Sequence, residues 1–108
     1  MAYTATHRHA QISARKVRPL ATLIRGKQVD EALALLKYQP QRGARLLEKV
    51  LKSALGNADD RRAPNLGGLR VVDARIDGGP SMKRVRPGSR GQAYVILKRM
   101  AHIKVTLE

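Results

Sequence analysis

The 108-residue sequence predicts an α+β fold, with three helices packed on a small antiparallel sheet and a long extended β-hairpin. Two patterns lead to this prediction. Apolar residues recur at helical spacing through the first half of the chain, and β-branched residues at strand spacing follow over 69–76 and 93–107. Because a chain of this length forms one hydrophobic core rather than two, we predict a single domain over 1–108.

The N-terminal residues predict one strand followed by one helix. Residues 2–12 alternate weakly in polarity, which indicates a polar, exposed strand. Ser13 is a favourable N-cap and Gly26 is a favourable residue just beyond a helix end, so the first helix is expected between them. The i, i+3, i+4, i+7 spacing of its apolar face is that of Val17, Leu20, Ala21 and Ile24.

Pro19 complicates the start of this helix, because it lies six positions beyond Ser13. A proline inside a helix removes one backbone hydrogen bond and crowds the preceding turn. Two arrangements are compatible with the sequence. Either the first turn is kinked and Pro19 lies within the helix, or the regular helix begins near Pro19 as its first residue.

A short second helix and a longer third helix follow. Two acids open residues 30–40, where they suit a helix N-terminus, and Pro40 ends that helix. The third helix is expected over about 41–59, with Glu48 and Lys52 forming a favourable i,i+4 pair. Its predicted buried stripe consists of Ala44, Leu47, Val50, Leu51, Ala54, Leu55 and Ala58.

The C-terminal half predicts the hairpin. Residues 60–68 have the composition of a loop, and two strand patterns follow, of which the second places Ile103, Val105 and Leu107 on one face. If 69–84 and 91–107 pair, each arm extends about 50 Å at roughly 3.3 Å per residue. We therefore predict a globular part made of 1–76 with 93–108, and a basic tip over 77–92.

Positive charge is concentrated at the two ends of the chain. Lys and Arg number 22 against 8 Asp and Glu, which gives a formal net charge of +14. Residues 1–29 contain no acid, residues 78–108 contain only Glu108, and residues 30–77 are nearly balanced. Two solvated basic tails would also have this composition, but both segments carry patterns of regular structure. The charge predicts a polyanionic partner, most commonly a nucleic acid.

The amino-acid composition narrows the kind of nucleic acid. The chain has no Phe and no Trp, and its three Tyr are scattered. A single-strand platform needs clustered aromatic side chains, so folded RNA recognised by shape and phosphate contact fits better, although charge alone does not exclude DNA. The hairpin tip has little to bury, so we expect it to be mobile until a polyanion orders it. The alternative is a disordered basic loop without a function.

Several other classes of protein are disfavoured. The chain has no Cys, no apolar run long enough to span a bilayer and no secretory signal, so we expect a soluble intracellular protein. His7 and His9 have strand spacing but lack partners for a metal site other than His102. No catalytic constellation is present, so we predict no enzymatic activity, no cofactor, no metal, no small-molecule substrate and no membrane partner.

Five segments carry recognisable motifs in a fixed order. They are Ser13-Ala-Arg-Lys-Val-Arg18, Leu23-Ile-Arg-Gly-Lys27, Lys52-Ser-Ala54, Gly79-Pro-Ser-Met-Lys-Arg84 and Ile96-Leu-Lys-Arg99. At this spacing, and over almost the whole chain, they resemble the L-twenty-two family of bacterial large-subunit ribosomal proteins. Each motif alone is weak, but the ordered set is specific.

The resemblance implies a cytoplasmic protein of the large ribosomal subunit that organises 23S rRNA and takes part in assembly. Its partners would be this rRNA, neighbouring large-subunit proteins and the nascent peptide, because the hairpin tip of the family lines the peptide exit tunnel. The residues implied to bind rRNA are Arg8, Arg15, Lys16, Arg18, Arg25, Lys27, Lys98 and Arg99. The residues implied at the tip are Met82, Lys83, Arg84, Arg86 and Arg90.

Two other functions remain open at this point. A non-ribosomal basic RNA chaperone would bind many nucleic acids tightly and would not associate stoichiometrically with ribosomes. A basic enzyme acting on nucleic acid would need a catalytic group that the sequence does not reveal. These alternatives differ in observable behaviour, since the first predicts indiscriminate binding and the second predicts turnover of RNA or DNA.

Overall fold

A computed structural model describes residues 2–108 of the chain. It confirms the predicted α+β class, with three helices covering one face of a three-stranded antiparallel sheet. In chain order the elements are β1 (Tyr3–Ala10), α1 (Ala14–Ile24), α2 (Val29–Tyr38), α3 (Arg42–Asp60), β2 (Val71–Pro87) and β3 (Ala93–Leu107).

Strand β3 lies at the centre of the sheet, in the order β1-β3-β2. Its C-terminal half pairs with both neighbours, so Leu107 is opposite Tyr3 on one side and Val71 on the other. Its N-terminal half pairs with β2 alone. The sheet is therefore three-stranded at one end and continues as a two-stranded ribbon at the other.

The hydrophobic core lies between the helices and the three-stranded end of the sheet. Helix α1 packs against β2, α3 packs against β1 and β3, and α2 packs against α3. The largest fully buried side chains include Leu47, Leu51, Ile103 and Leu107. Burial of each such side chain contributes roughly 1.5–3 kcal/mol to stability. The apolar burial that stabilises the fold is therefore concentrated at this end of the molecule.

The predicted first helix is confirmed, and the structure decides between the two arrangements for Pro19. Helix α1 begins at Ala14 and contains Pro19, so the helix does not start at the proline. The Lys16 N–H bonds the Ser13 carbonyl at 3.1 Å, which tightens the first turn. Ser13 is the N-cap residue but its side chain makes no capping hydrogen bond, whereas Gly26 has the left-handed φ of 80° expected beyond a helix end.

The predicted second and third helices are both confirmed. The observed bounds of α3 differ from the predicted ones by one residue at each end. The predicted pair forms, with Lys52 Nζ 3.2 Å from Glu48 Oε1, and Arg45 contacts the same carboxylate at 2.9 Å. Arg45 also donates to the carbonyls of Leu36, Lys37 and Gln39, and so caps the end of α2. Of the predicted stripe, Leu55 is only partly buried.

The prediction of a polar, exposed N-terminal strand is wrong in one respect. Strand β1 exists, but Tyr3 and Ala5 on its inner face are 4% and 8% exposed. Pairing with β3 places this face over the core, and Asn57 of α3 donates to the Thr4 carbonyl at 2.8 Å. The weak alternation reflected a strand with one buried face and one solvated face.

Strand β2 of the hairpin ends three residues further along the chain than the predicted arm over 69–84. Strand β2 reaches Pro87, which is paired with Ala93, so the turn is confined to 88–92. Most of the predicted tip over 77–92 is therefore regular strand. The molecule measures 64 Å along its longest axis, compared with 25 and 16 Å along the other two.

Burial divides the molecule into two parts. No side chain from Asp77 to Met100 is buried, whereas Ile76 and Ala101 on either side of this segment are 4% and 0% exposed. We refer to residues 77–100 as the projecting hairpin and to the remaining described residues as the body. The register of β2 shifts by one residue between Gly78 and Ser81, where the hairpin leaves the body. Such a bulge bends a strand and increases its twist.

Candidate nucleic-acid interface

The projecting hairpin presents positive charge without any acid beyond Asp77. Residues opposite each other in an antiparallel pair share a face, so the register assigns each cation to one side of the ribbon. Arg84 and Arg86 lie on one face with Lys98, and Lys83 lies on the other face with Arg99. The ribbon therefore carries cations on both sides and can contact phosphates on either.

Apolar side chains are interleaved with these cations. Lys83 is opposite Leu97, Arg84 is opposite Ile96, and Arg86 is opposite Tyr94. Met82, Val85, Tyr94, Val95 and Leu97 are all at least 41% exposed. Apolar side chains on a monomeric surface at this density, surrounded by cations, are typical of a binding surface rather than of a solvated loop.

The residues predicted at the tip are spread along the outer half of the hairpin. Met82, Lys83, Arg84 and Arg86 lie on β2, and the Met82 sulfur is 3.9 Å from an Arg84 guanidinium nitrogen. Arg90 is in the turn itself, with a left-handed φ of 58°. The structure therefore has Arg90 at the extreme end and Met82 nearest the body.

No sequence pattern indicates how the turn packs. The Tyr94 ring lies directly against Gly88, where even a Cβ would clash with it. The Tyr94 hydroxyl is 3.4 Å from Gln92 Oε1, and 54% of the residue remains exposed. The Tyr94 ring is therefore a candidate contact for a binding partner, and it was not among the residues predicted from the sequence.

A groove forms where the hairpin leaves the body, between the N-termini of α1 and α3. We call this the corner groove; its volume is about 850 Å³, and no acid is among its lining residues. Its cations are Arg15, Lys16, Arg42, Arg84, Lys98 and Arg99. Five of these are predicted site residues, and the structure brings them together from three elements. Arg42 was missed, because it lies in the segment whose net charge is nearly zero.

Arg18 and Arg25 are committed to contacts within the protein. Arg25 donates to the Ala74 carbonyl through Nε at 3.0 Å and Nη2 at 2.6 Å, and Arg18 Nε donates to the Ile76 carbonyl at 3.3 Å. Both acceptors lie on the outer edge of β2. These arginines fasten α1 to the strand from which the hairpin projects, so they position the hairpin in addition to any contact with a partner.

The two remaining predicted cations lie elsewhere on the body. Arg8 is exposed on β1, and Lys27 is exposed in the segment between α1 and α2. The Lys27 carbonyl accepts from the Val71 N–H at 2.9 Å, which ties this segment to β2. Neither side chain lines the corner groove.

The opposite end of α3 has a different charge. A smaller hollow of about 460 Å³ is lined by Asp30, Asp59 and Lys52, together with the partly buried Leu55 and Leu66. Its ionisable lining residues are two acids and one base. A polyanion therefore has an electrostatic reason to approach the hairpin end of the molecule rather than this end.

The histidines are close together but do not form a metal site. The His9 and His102 rings are 5.1 Å apart in an edge-to-face arrangement, and the His9 N–H donates to His102 Nδ1 at 3.2 Å. His9 lies in the β1 bulge with a φ of 59°. Among residues 2–108 no group of three His, Asp or Glu side chains could hold a metal ion. No helix in the described part of the chain is long and apolar enough to cross a membrane.

The fold and this surface define a class: a small basic α+β domain whose hairpin has no acid after Asp77 and whose groove is lined by cations without an acid. Comparison with known proteins identifies the family. The profile described as Ribosomal protein L22p/L17e matches residues 5–108, and the chain belongs to this family. The sequence resemblance is thereby confirmed.

Two relatives are similar over nearly the whole chain. The "Large ribosomal subunit protein uL22" of Rhodopirellula baltica is 54% identical, covering 97% of this chain and 92% of that protein. The protein of the same name from Caldicellulosiruptor saccharolyticus is 50% identical, covering 97% of this chain and 86% of that protein. The family and both relatives carry the names of ribosomal proteins, which agrees with the prediction that the chain is not an enzyme.

Proposed function

We propose that this chain is a structural component of the large ribosomal subunit that binds and organises 23S rRNA. The relatives carry the name of a large-subunit protein, and this chain matches them over 97% of its length and belongs to the same family. The single observation that carries rRNA binding is the projecting hairpin. It has seven strand pairs beyond its bulge, no buried side chain and no acid after Asp77.

The electrostatics of the hairpin and corner groove support phosphate contact. An RNA strand that neutralises several of these cations releases its condensed counterions, and this release drives binding. With roughly 6–10 phosphates neutralised, affinity falls about 10³–10⁵-fold between 50 and 200 mM salt on the scale measured for duplex DNA. We expect the phosphate-contacting residues to include Arg15, Lys16, Lys98 and Arg99, with Arg8, Arg18, Arg25 and Lys27 around them.

The length of the hairpin supports the finer part of the proposal, that its tip lines the nascent-peptide exit tunnel. A body on the outer surface of the subunit would need a reach of several tens of ångströms to contact a tunnel in the interior. Strand β2 continues over residues 77–87 beyond the body, about 35 Å at roughly 3.3 Å per residue, which provides such a reach. The residues proposed to face the tunnel are those at and near the tip, namely Met82, Lys83, Arg84, Arg86 and Arg90.

Sedimentation of a native lysate tests the ribosomal role. On a sucrose gradient at moderate and high salt, we expect one copy of the protein per large subunit, retained after the salt wash. A protein that stays at the top of the gradient would contradict the proposal and would favour the free RNA chaperone instead.

Crosslinking to a stalled nascent peptide tests the tunnel assignment. A photoreactive residue replacing Arg86 is expected to label the nascent peptide in purified ribosome complexes. The matched control replaces Tyr38, which is 87% exposed on the body, and should give no label. Equal labelling from both positions, or none from Arg86, would overturn the tunnel assignment and leave the rRNA-binding role intact.

A further inference from the structure

The corner groove combines two features that phosphate binding alone does not need. Its lining includes six Lys or Arg and no acid. Apolar side chains from both the body and the hairpin line it as well, namely Ile12, Pro19, Met82 and Met100. A groove that binds only phosphates has no need of these apolar side chains.

The fold builds this groove through a close helix contact. Gly43, in the first turn of α3, lies so near α1 that an added Cβ would be 3.2 Å from Val17 Cγ2 and 3.3 Å from Ile12 Cδ1. This approach brings the start of α3, with Arg42, beside the start of α1, with Arg15. The helix N-termini, each with a partial positive charge, then face the base of the hairpin.

One wall of the groove is already arranged to hold a flat ligand. The Arg84 guanidinium lies 3.9 Å from the Met82 sulfur, and Met82 is 41% exposed. Guanidinium planes stack on nucleobases, and methionine sulfur makes favourable contacts with aromatic rings. Met100 lines the same groove from β3 and lies two residues from Lys98, the partner of Met82, so the two methionines are on one face of the ribbon.

We propose that the corner groove binds one unpaired nucleotide of RNA, with its phosphates on the groove's cations and its base on Met82 and Met100. This inference rests on the proposed function and adds to it the kind of RNA structure recognised. Bases within a duplex are stacked and paired, so they cannot reach these side chains, whereas an extruded base can. Of the residues named above for the tunnel, the inference assigns Met82 and Arg84 to rRNA and leaves Lys83, Arg86 and Arg90 to the tunnel.

Photo-crosslinking from Met82 tests the proposal. The full chain carries p-benzoylphenylalanine in place of Met82, is bound to deproteinised large-subunit rRNA and is irradiated. Reverse transcription then maps the crosslinked nucleotide. The control carries the same photoreactive residue in place of Val72, which is 49% exposed on β2 and does not line the groove. Dimethyl sulfate reactivity of the free rRNA identifies which nucleotides are unpaired.

We expect the residue at position 82 to crosslink to one or two adjacent nucleotides that are unpaired in free rRNA and become protected when the protein binds. We also expect Met82→Asn to weaken rRNA binding about tenfold, while Val72→Asn changes it less than twofold. Crosslinks from position 82 to paired nucleotides, the absence of RNA crosslinks, or equal effects of the two asparagine variants would overturn the proposal.

The experiment separates this inference from the proposed function. If the protein sediments with the large subunit but position 82 does not contact an unpaired base, the groove assignment fails alone. If the protein neither sediments with the subunit nor prefers large-subunit rRNA over unrelated RNA, the proposed function fails, and the groove assignment fails with it.

Discussion

The body and the projecting hairpin share β2 and β3 but are stabilised by different means. In the body, alternate residues of β3 such as Ile103 and Val105 are completely buried beneath the helices. In the hairpin, Val95 and Leu97 continue the same alternation on the same strand, yet they are 64% and 42% exposed. Strand β3 thus passes from the core at Ala101 to the surface at Leu97, four residues away.

The difference in side-chain burial indicates a different role for the body and for the projecting hairpin. The body buries enough apolar surface to fold, and its contacts with the hairpin base fix the direction in which the ribbon projects. A two-stranded ribbon alone is marginally stable in water, so the hairpin's backbone pairing is supported by the body at one end and, we propose, by rRNA along its length. Substitutions should therefore affect folding in the body and binding in the hairpin.

The largest expected effect on folding is that of Leu51→Asp. Leu51 is completely buried in α3, and an unpaired carboxylate there should cost at least about 3 kcal/mol, a large share of a typical domain's stability. Thermal unfolding followed by circular dichroism measures the loss. The control is Ser53→Asp, which places the same charge on the exposed side of the same helix. An unchanged melting temperature for Leu51→Asp would contradict the assigned buried face.

A truncation at one site in each part compares the body with the hairpin directly. Ile103→Ala removes a fully buried side chain and should destabilise the protein by about 2–5 kcal/mol. Val85→Ala removes a side chain that is 71% exposed on the same sheet and should change stability by less than about 0.5 kcal/mol. Denaturant unfolding measures both values. Similar losses for the two variants would mean that the hairpin is packed rather than projecting.

The close approach of α1 and α3 is tested by placing leucine at two glycines of α3. Gly43→Leu should destabilise the protein by about 1–3 kcal/mol, because the side chain would overlap Val17 and Ile12. An added Cβ at Gly56 has no atom within 4 Å, so Gly56→Leu should stabilise the protein by up to about 1 kcal/mol through helix propensity. Stabilisation by both changes, measured in denaturant, would show that the helices do not meet at Gly43.

A smaller effect is expected at the contact that fastens the hairpin base. Arg25→Gln removes the two hydrogen bonds to the Ala74 carbonyl and should cost about 1 kcal/mol, since the arginine is partly solvated. Arg15→Gln, on the same helix but without such a contact, should leave stability within about 0.5 kcal/mol. If both variants unfold at the same denaturant concentration as the original protein, Arg25 does not position β2.

The elements of the body were largely predictable because their patterns are local. The bounds of β3 and α3 follow from alternation and from an apolar stripe, and Gly26 marks the end of α1 as expected. The outer end of β2 was expected at residue 84 but lies at Pro87, because 78–87 is rich in glycine, proline and cations, which obscure the strand pattern. Those residues form a strand because β3 offers them backbone partners, and such tertiary pairing overrides intrinsic preference.

The candidate site was predictable in composition but not in arrangement. The charge distribution identified most of the cations of the corner groove, because they lie in acid-free segments. It did not identify Arg42, whose neighbours in sequence balance its charge, nor did it indicate that Arg25 bonds a carbonyl of β2. The first depends on how α1 and α3 meet at Gly43 and the second on how α1 packs against β2, and a linear pattern encodes neither.

The most direct test of the account replaces Lys83, Arg84 and Arg86 together with glutamine. These exposed cations contribute little to folding, so the melting temperature should stay nearly unchanged. Affinity for large-subunit rRNA should fall by more than tenfold at physiological salt, and the dependence of binding on salt should become shallower. An unchanged affinity and salt dependence, or a large loss of thermal stability, would contradict the claim that the hairpin serves binding rather than folding.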